Sequence, residues 1–546
     1  MNLAYWLNTA WMWQCRLELA RFCRATQRVE FSQYAVLREI LTVNATSEFG
    51  RNHGFAGIRS AAQFQRCVPL CDYEAISEDI ERIGAGEEHV LTGEPIHLLE
   101  PTSGSSGAVK LIPYTASLRE QFQRGIKAWL GDLLHAYPAV RQGRAYWSIS
   151  PASGIKRKSR GGIAIGFADD TEYLGKLERW AIRYLLAVPP AVAKTEDLDQ
   201  FRYRTLLHLL GAADLTLISI WSPTFLTALL GQIERRAEEL PRDLRAIQPY
   251  ARLRPATQRA DDVARILDAN QSIALKLKRI WPRLALISCW ADGASAGYCS
   301  ELMTLLPHVT IQPKGLLSTE GFVSLPLARR LGAALALRSH FFEFVDARGD
   351  LRLAHELERC HAYQMVITTG GGLYRYRTGD VVEVAGFENQ CPLLRFVGRG
   401  DGVCDRIGEK LSEAQVRRAL ESAFAAQALA PRFAMLVPVE RPQRSYRLYL
   451  QGRNGELTTE KLAMVRAGVE AVLAENPYYD HALRLGQLAR LEVQALSSSA
   501  PPAWEIYENE CLKRGQRLGD IKPVVLHGGS WWPEYFAPLT EARAPE

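Results

Sequence analysis

The segment from Glu100 to Thr115 reads E-P-T-S-G-S-S-G-A-V-K-L-I-P-Y-T and carries the residue types of a phosphate cradle. Glycines such as Gly104 let the backbone turn successive N–H groups toward one point. The hydroxyls of Thr102, Ser103, Ser105 and Ser106 add donors, and Lys110 adds positive charge. A flexible linker has the same Gly/Ser composition, so placement decides. Ile96 to Leu99 suits a short strand and Thr115 to Leu130 a helix, which puts the loop at a rigid junction where anions are commonly held.

Four other spots carry chemistry. Ser318-Thr319-Glu320 follows an apolar strand, where ligands bind in open α/β sheets, and a carboxylate there can hold Mg²⁺ beside a phosphate loop; a surface glutamate is the alternative. Tyr374 to Asp380, Y-R-Y-R-T-G-D, ends in an aspartate at a glycine turn. Asp380 can accept two hydrogen bonds from a ribose diol, or simply cap the turn. Lys522, in L-G-D-I-K-P, lies in a partly apolar surround or is an ordinary solvated lysine.

The fourth spot is a rival. Gly293-Ala294-Ser295-Ala296-Gly297 fits the G-x-S-x-G nucleophile elbow, with a strand before and a helix after it. Asp346 and His355 follow in the order a serine esterase needs. No H-G-G-G run precedes Ser295, and His527-Gly528-Gly529-Ser530 lies near the far end. Lys110 is followed by Leu111, so there is no Walker loop, and no dinucleotide fingerprint occurs.

Elements must position these residues. A chain of 546 residues exceeds the size of one hydrophobic core, so at least two domains are expected. A composition of 47% hydrophobic and 23% charged residues excludes disorder, and a net charge of +6 lacks the concentrated basic face of a nucleic-acid binder. The ten cysteines are scattered without a zinc pattern and read as reduced thiols of a cytoplasmic protein. Trp6, Trp11 and Trp13 sit in an amphipathic docking helix interrupted by charges, and no run is long enough to span a bilayer.

Helices are expected within Tyr5 to Thr46, over Leu177 to Leu186, Phe201 to Leu210 and Pro223 to Leu240, and up to Leu306. Strands are expected at Ala145 to Ser150, Gly161 to Gly166, Leu215 to Trp221, Trp281 to Cys289 and Thr310 to Leu317. That interleaving argues a mainly parallel sheet. From Phe341 to Val397 the period is two, as in Leu373 to Val384, where Tyr374 and Tyr376 share one face and Arg375 and Arg377 the other. The region reads as an antiparallel sheet or distorted barrel. After a hinge at Gly398 to Gly402, Ser412 to Gln415 is a capping box, and the rest is a small α+β domain.

These motifs resemble those of the plant auxin-responsive (Gretchen Hagen type) acyl acid amido synthetases and their bacterial relatives, over nearly the whole length. T-S-E-F-G-R-N-H-G-F from Thr46, V-P-L-C-D-Y-E-A-I from Val68 and G-E-E-H-V-L-T from Gly86 are similar to the family's N-terminal pattern. T-S-G-S-S-G with K-L-I-P resembles its first nucleotide motif, L-L-S-T-E its second and T-T-G-G-G-L-Y-R-Y-R-T-G-D its third. G-R-G-D with G-E-K-L-S-E-A-Q-V is similar to the hinge of the wider adenylate-forming superfamily that includes firefly luciferase. Leu316 stands where the family carries tyrosine, and Ser105 where threonine is common.

The resemblance implies an α/β fold, with a large N-terminal adenylate-forming domain over 1–398 (mainly parallel sheets plus a distorted antiparallel β-barrel) and a smaller α+β C-terminal mobile cap over 399–546. It implies ATP and Mg²⁺ as cofactors, a carboxylic acid and an amine, in this family an amino acid, as substrates, and a monomer with no nucleic-acid or membrane partner. Thr102, Ser103, Gly104, Ser105, Ser106, Lys110, Ser318 and Thr319 would hold phosphates. Glu320 would hold the metal, Asp380 the ribose, and Asp292 and Gly293 the adenine. Arg399, with Asp401, would serve the hinge, and Lys522 would contact the reacting carboxylate or α-phosphate. An acyl-CoA-forming ligase and an esterase using Ser295 are the alternatives.

Overall fold

The computed structural model describes residues 3–102, 110–148, 157–166, 184–195, 197–246, 256–292, 295–400, 403–407, 409–441, 443–453, 455–516, 518 and 521–540. The chain forms two compact units, Met1–Asp292 with Cys299–Phe396, and Gly293–Tyr298 with Val397–Glu546.

The first unit contains a four-stranded parallel sheet in the order Arg144–Trp147, Leu215–Ser219, Leu286–Cys289, Thr310–Pro313. Leu215–Ser219 and Leu286–Cys289 are buried along their whole length, as strands covered on both faces must be. The helix Pro223–Arg235 begins at the cap Ser222 with proline at its first position. The apolar run Trp281 to Cys289 is not one strand: the Trp281 N–H closes the helix Ile273–Ile280 on Leu277, so only its last four residues reach the sheet. Thr310 to Leu317 likewise leaves the sheet after Pro313, because the chain reverses at Gly315, with φ +74°.

The segment around the opening loop differs from the expectation. Leu98–Thr102 pairs antiparallel with Lys110–Tyr114, Thr102 opposite Lys110, so the loop joins two strands of a hairpin. The helix Ala116–Ala136 begins only afterwards, where the Thr115 side chain accepts the Leu118 N–H. Its N-terminal dipole is therefore five residues removed from the loop, and the helix-terminus argument for anion binding does not hold. The helix Leu3–Ala25 packs along Ala116–Ala136, where a Cβ on Gly131 would lie 3.2 Å from the Leu19 Cβ. Trp6 and Trp13 face outward.

Seven antiparallel strands form the next layer, in the order Leu351–Leu353, Phe341–Val345, Ala362–Thr368, Tyr376–Glu388, Cys391–Arg399, Ala333–Leu335, Ser324–Pro326. The strand expected from Leu373 starts only at Tyr376. Arg375 takes φ +49° and turns inward, opposite to the solvent-facing Arg377. It is 3% exposed and forks onto Glu343, 1% exposed, at 3.0 Å from both Nε and Nη2, while Nη1 donates to the carbonyls of Gln65 and Val68. Tyr374 stacks on Phe49 and donates to the Leu91 carbonyl.

In the second unit, Phe433–Val439 pairs antiparallel with Ser445–Gln451, which pairs parallel with Glu492–Leu496. Alternate residues feed two cores. Leu436, Leu448 and Leu450 face the helices Glu413–Ala426 and Thr459–Leu473; Met435, Val437 and Tyr449 face Ala503–Lys513 and Trp532–Phe536. The Ser412 side chain caps Glu413–Ala426 by accepting the Gln415 N–H, as the capping box requires.

Candidate active site

Three separated motifs of the first unit meet through a small set of hydrogen bonds. Past the Thr310–Pro313 strand, Ser318 to Gly321 form a tight turn closed by the Ser318 N–H on the Gly321 carbonyl at 3.1 Å. The Tyr114 hydroxyl donates to the Thr319 carbonyl at 2.8 Å, which ties the hairpin that carries Lys110 to this turn. The Thr115 hydroxyl donates to the Gly370 carbonyl at 3.0 Å, reaching the T-T-G-G-G run.

The centre of this network is a pair the sequence did not single out. The Gln121 Oε1 accepts the Gly370 N–H at 2.9 Å and faces His340 Nδ1 at 3.0 Å. His340 Nε2 accepts the Phe322 N–H at 3.0 Å, so the ring is neutral with its proton on Nδ1, donated to Gln121. Burial, and then the Arg124 charge, push the His340 pKa down to about 3. Gly321 is obligatory here. A Cβ would lie 2.5 Å from the Ile367 Cδ1 and 2.9 Å from His340 Nε2.

On this scaffold the Ser318 hydroxyl is buried without a hydrogen-bond partner. Glu320 is half-buried, and its carboxylate has no hydrogen bond or ion pair among the described residues. Lys110 lies 5.6 Å from the Tyr73 ring centroid, half-buried, with no carboxylate partner among the described residues. Thr102 faces it across the hairpin. Asp380 is not in a turn. It lies within the strand Tyr376–Glu388, 6% exposed, where Gly379 at φ +81° and a register shift against Gln364 to Val366 make a bulge that re-aims the side chain. Asp292 is half-buried beyond the Leu286–Cys289 strand. Ser103, Gly104, Ser105, Ser106, Gly293 and Asp401 lie outside the described residues.

In the second unit, Lys522 and Arg399 share a carboxylate neighbour. Burial raises the Glu413 pKa, opposed by the Val525 N–H it accepts and by the charges of Arg417, Lys522 and Arg399. Lys522 is exposed, and its carbonyl accepts the Tyr507 hydroxyl. Ser295 is 6% exposed. Asp346, the acid proposed for an esterase, caps its own hairpin by accepting the Arg348 and Asp350 N–H groups, while His355 is exposed. Among the described residues no group of three or more His, Cys, Asp or Glu forms a ready-made metal site.

Residues 18–311 match the model of the GH3 family N-terminal domain, and residues 333–399 that of the GH3 family central domain. The chain belongs to the GH3 family. It is 30% identical over 478 residues to a probable indole-3-acetic acid-amido synthetase of Oryza sativa subsp. japonica, covering 79% of this chain and 74% of that one. It is 26% identical over 456 residues to a jasmonoyl–L-amino acid synthetase of the same plant, covering 75% of this chain and 77% of that one. Its fold is that of an acyl acid amido synthetase solved in complex with 2,4-DB, with a TM-score of 0.84 at 22% identity over 97% of this chain and 96% of the other. A 2-hydroxyisobutyryl-CoA ligase in its postadenylation state shares the fold more distantly, with a TM-score of 0.50 at 11% identity over 93% and 91%. Leu316, where the motif resemblance expects a tyrosine, is 8% exposed and packed into the main core.

Proposed function

We propose that this GH3 protein is an ATP-dependent acyl acid amido synthetase, a C–N ligase that joins a small carboxylic acid to an amino acid. In the first step an acid carboxylate oxygen bonds to the α-phosphorus of ATP and pyrophosphate leaves. In the second the amine bonds to the acyl carbon, AMP leaves and the amine gives up a proton. The observation that carries this reading is the convergence of the Lys110 hairpin, the Ser318–Glu320 turn and the Thr368–Gly372 run on Gln121 and His340.

The residues present fit a nucleotide and its metal. An unpartnered Ser318 hydroxyl can donate to a phosphate oxygen, and the Lys110 ammonium can balance phosphate charge. Mg²⁺, arriving with the triphosphate and held by Glu320, would supply charge neutralisation; a lone protein carboxylate suits an ion that keeps most of its ligands from phosphate and water. Thr102 and Thr319, with Ser103, Gly104, Ser105 and Ser106, complete the phosphate side. Asp292 and Gly293 would line the base, and Asp380 would accept the ribose hydroxyls. Lys522 and Arg399 would serve from a C-terminal cap spanning 399–546, with motion between half-reactions. We place the enzyme in the cytoplasm as a monomer; no described helix is long and apolar enough to cross a membrane.

Acid-dependent exchange of labelled pyrophosphate into ATP tests the first step, and product mass after adding amino acids or CoA tests the second. An acyl-amino acid product is expected; a thioester as the only product would refute the amide reading. Lys522→Ala should slow exchange by roughly tenfold or more, on the scale of one lost transition-state charge contact. An unchanged rate would remove Lys522 from the site.

A further inference from the structure

A buried parallel sheet is expected to carry a continuous apolar lining, yet one row across this sheet is polar. Register places Trp147, Ser219, Ser288 and Gln312 opposite one another on four successive strands, hence on one face. Trp129, from the helix Ala116–Ala136, covers this face and donates its indole N–H to the Gln312 Oε1 at 3.2 Å. That bond fixes the orientation of the amide and leaves the Gln312 Nε2 as a buried donor without a partner, on a residue 5% exposed. The Ser288 hydroxyl is also unpartnered, at 0% exposed.

At the end of the row stands Lys314. Its ammonium donates to the Ser219 Oγ at 2.6 Å and sits 5.3 Å from the Trp129 ring centroid and 5.0 Å from that of Trp221. No carboxylate partners it among the described residues. Burial lowers its pKa to about 8, and the Cys289 thiol is the titratable group facing it. Lys314 is half-buried, and a partly desolvated cation without a counter-ion is costly unless a ligand supplies one. Here two indoles flank it, at the carboxyl ends of strands where ligands bind.

We propose that Lys314, with Ser219, Gln312, Trp129 and Trp221, selects an acyl substrate that has a flat apolar body and a second anionic group, distinct from the carboxylate being activated. The contacts of Lys314 favour this assignment, since its ammonium is held by Ser219 and two indoles and touches none of the residues of the phosphate-side turn. The inference rests on the amido synthetase reading for the word substrate, but not for the binding itself.

The test is equilibrium binding without ATP, followed by tryptophan fluorescence, of 4-carboxyphenylacetate and its monoanionic counterpart phenylacetate. The full-length protein should prefer the dicarboxylate at least tenfold. Lys314→Met should abolish that preference while leaving phenylacetate affinity within about twofold, and Ser219→Ala, which frees the ammonium from its anchor, should reduce the preference should the methionine variant fail to fold. No preference in the unmodified protein would overturn the proposal. So would a Lys314→Met variant that weakens both acids equally, the sign of a lysine on the reacting carboxylate, or one that changes only the KM for the amino acid. A tenfold preference without acid-dependent exchange would refute the ligase reading and leave this inference standing.

Discussion

Replacing Arg375 with alanine separates architecture from chemistry inside the motif Y-R-Y-R-T-G-D. The arginine is 3% exposed and its only carboxylate partner among the described residues, Glu343, is 1% exposed. Removing the guanidinium strands Glu343 as a buried charge, at a cost of about 3–5 kcal/mol. The carbonyls of Gln65 and Val68 lose their donor, adding about 1 kcal/mol each. The sum, on the order of 5–7 kcal/mol, is comparable with the whole stability of a typical domain. Equilibrium urea unfolding reads it as a fall in midpoint. The double variant Glu343→Met with Arg375→Met should recover much of the loss, because replacing a whole buried pair with apolar groups is often near neutral. A single Arg375→Ala change that costs less than about 1 kcal/mol, or a double variant no better than the single, would refute the account of this pair.

Asp380→Asn, five residues further on, should behave oppositely: pyrophosphate exchange falls while the unfolding midpoint holds. Gly321→Ala should destabilise by about 1–3 kcal/mol through the clash with Ile367 and His340, and trimming Ile367 to alanine should restore part of the exchange activity lost. His340 is held neutral with a pKa near 3, while an unfolded histidine titrates near 6.5, so the unfolded state binds the extra proton as pH falls. Stability should therefore decline from pH 6.5 downward, by about 2 kcal/mol from this group at pH 5, and a His340→Asn variant should show a shallower decline in calorimetry. Glu320→Gln should raise the Mg²⁺ concentration needed for half-maximal exchange, without altering the unfolding midpoint.

Much of this molecule was legible before its coordinates. Helices such as Leu198–Gly211 and Glu413–Ala426 announce themselves through period and caps, and the fully buried Leu215–Ser219 through apolar and β-branched residues. What escaped depends on long-range contact or on unusual backbone. The strand Lys110–Tyr114 is five residues with a proline, overshadowed by the strong helix signal at Thr115. Arg375 alternates correctly in sequence, but nothing local says that it takes a positive φ to reach Glu343. Gln121 and His340 are single polar residues 219 positions apart, and only the fold makes them the junction of three motifs. The carboxylates and hydroxyls proposed for the site could be singled out in the sequence because they sit in glycine-marked segments. Lys314 was not, since a lysine after a strand is ordinarily a surface residue.

The most direct test of the central claim is pyrophosphate exchange into ATP by the purified protein across a panel of carboxylic acids. The account predicts exchange that requires both Mg²⁺ and a specific acid, needs more Mg²⁺ in Glu320→Gln, is slowed roughly tenfold or more in Lys522→Ala, and gives way to an acyl-amino acid product with AMP when the matching amino acid is added. Absence of exchange with every acid, together with ester cleavage abolished by Ser295→Ala, would contradict it.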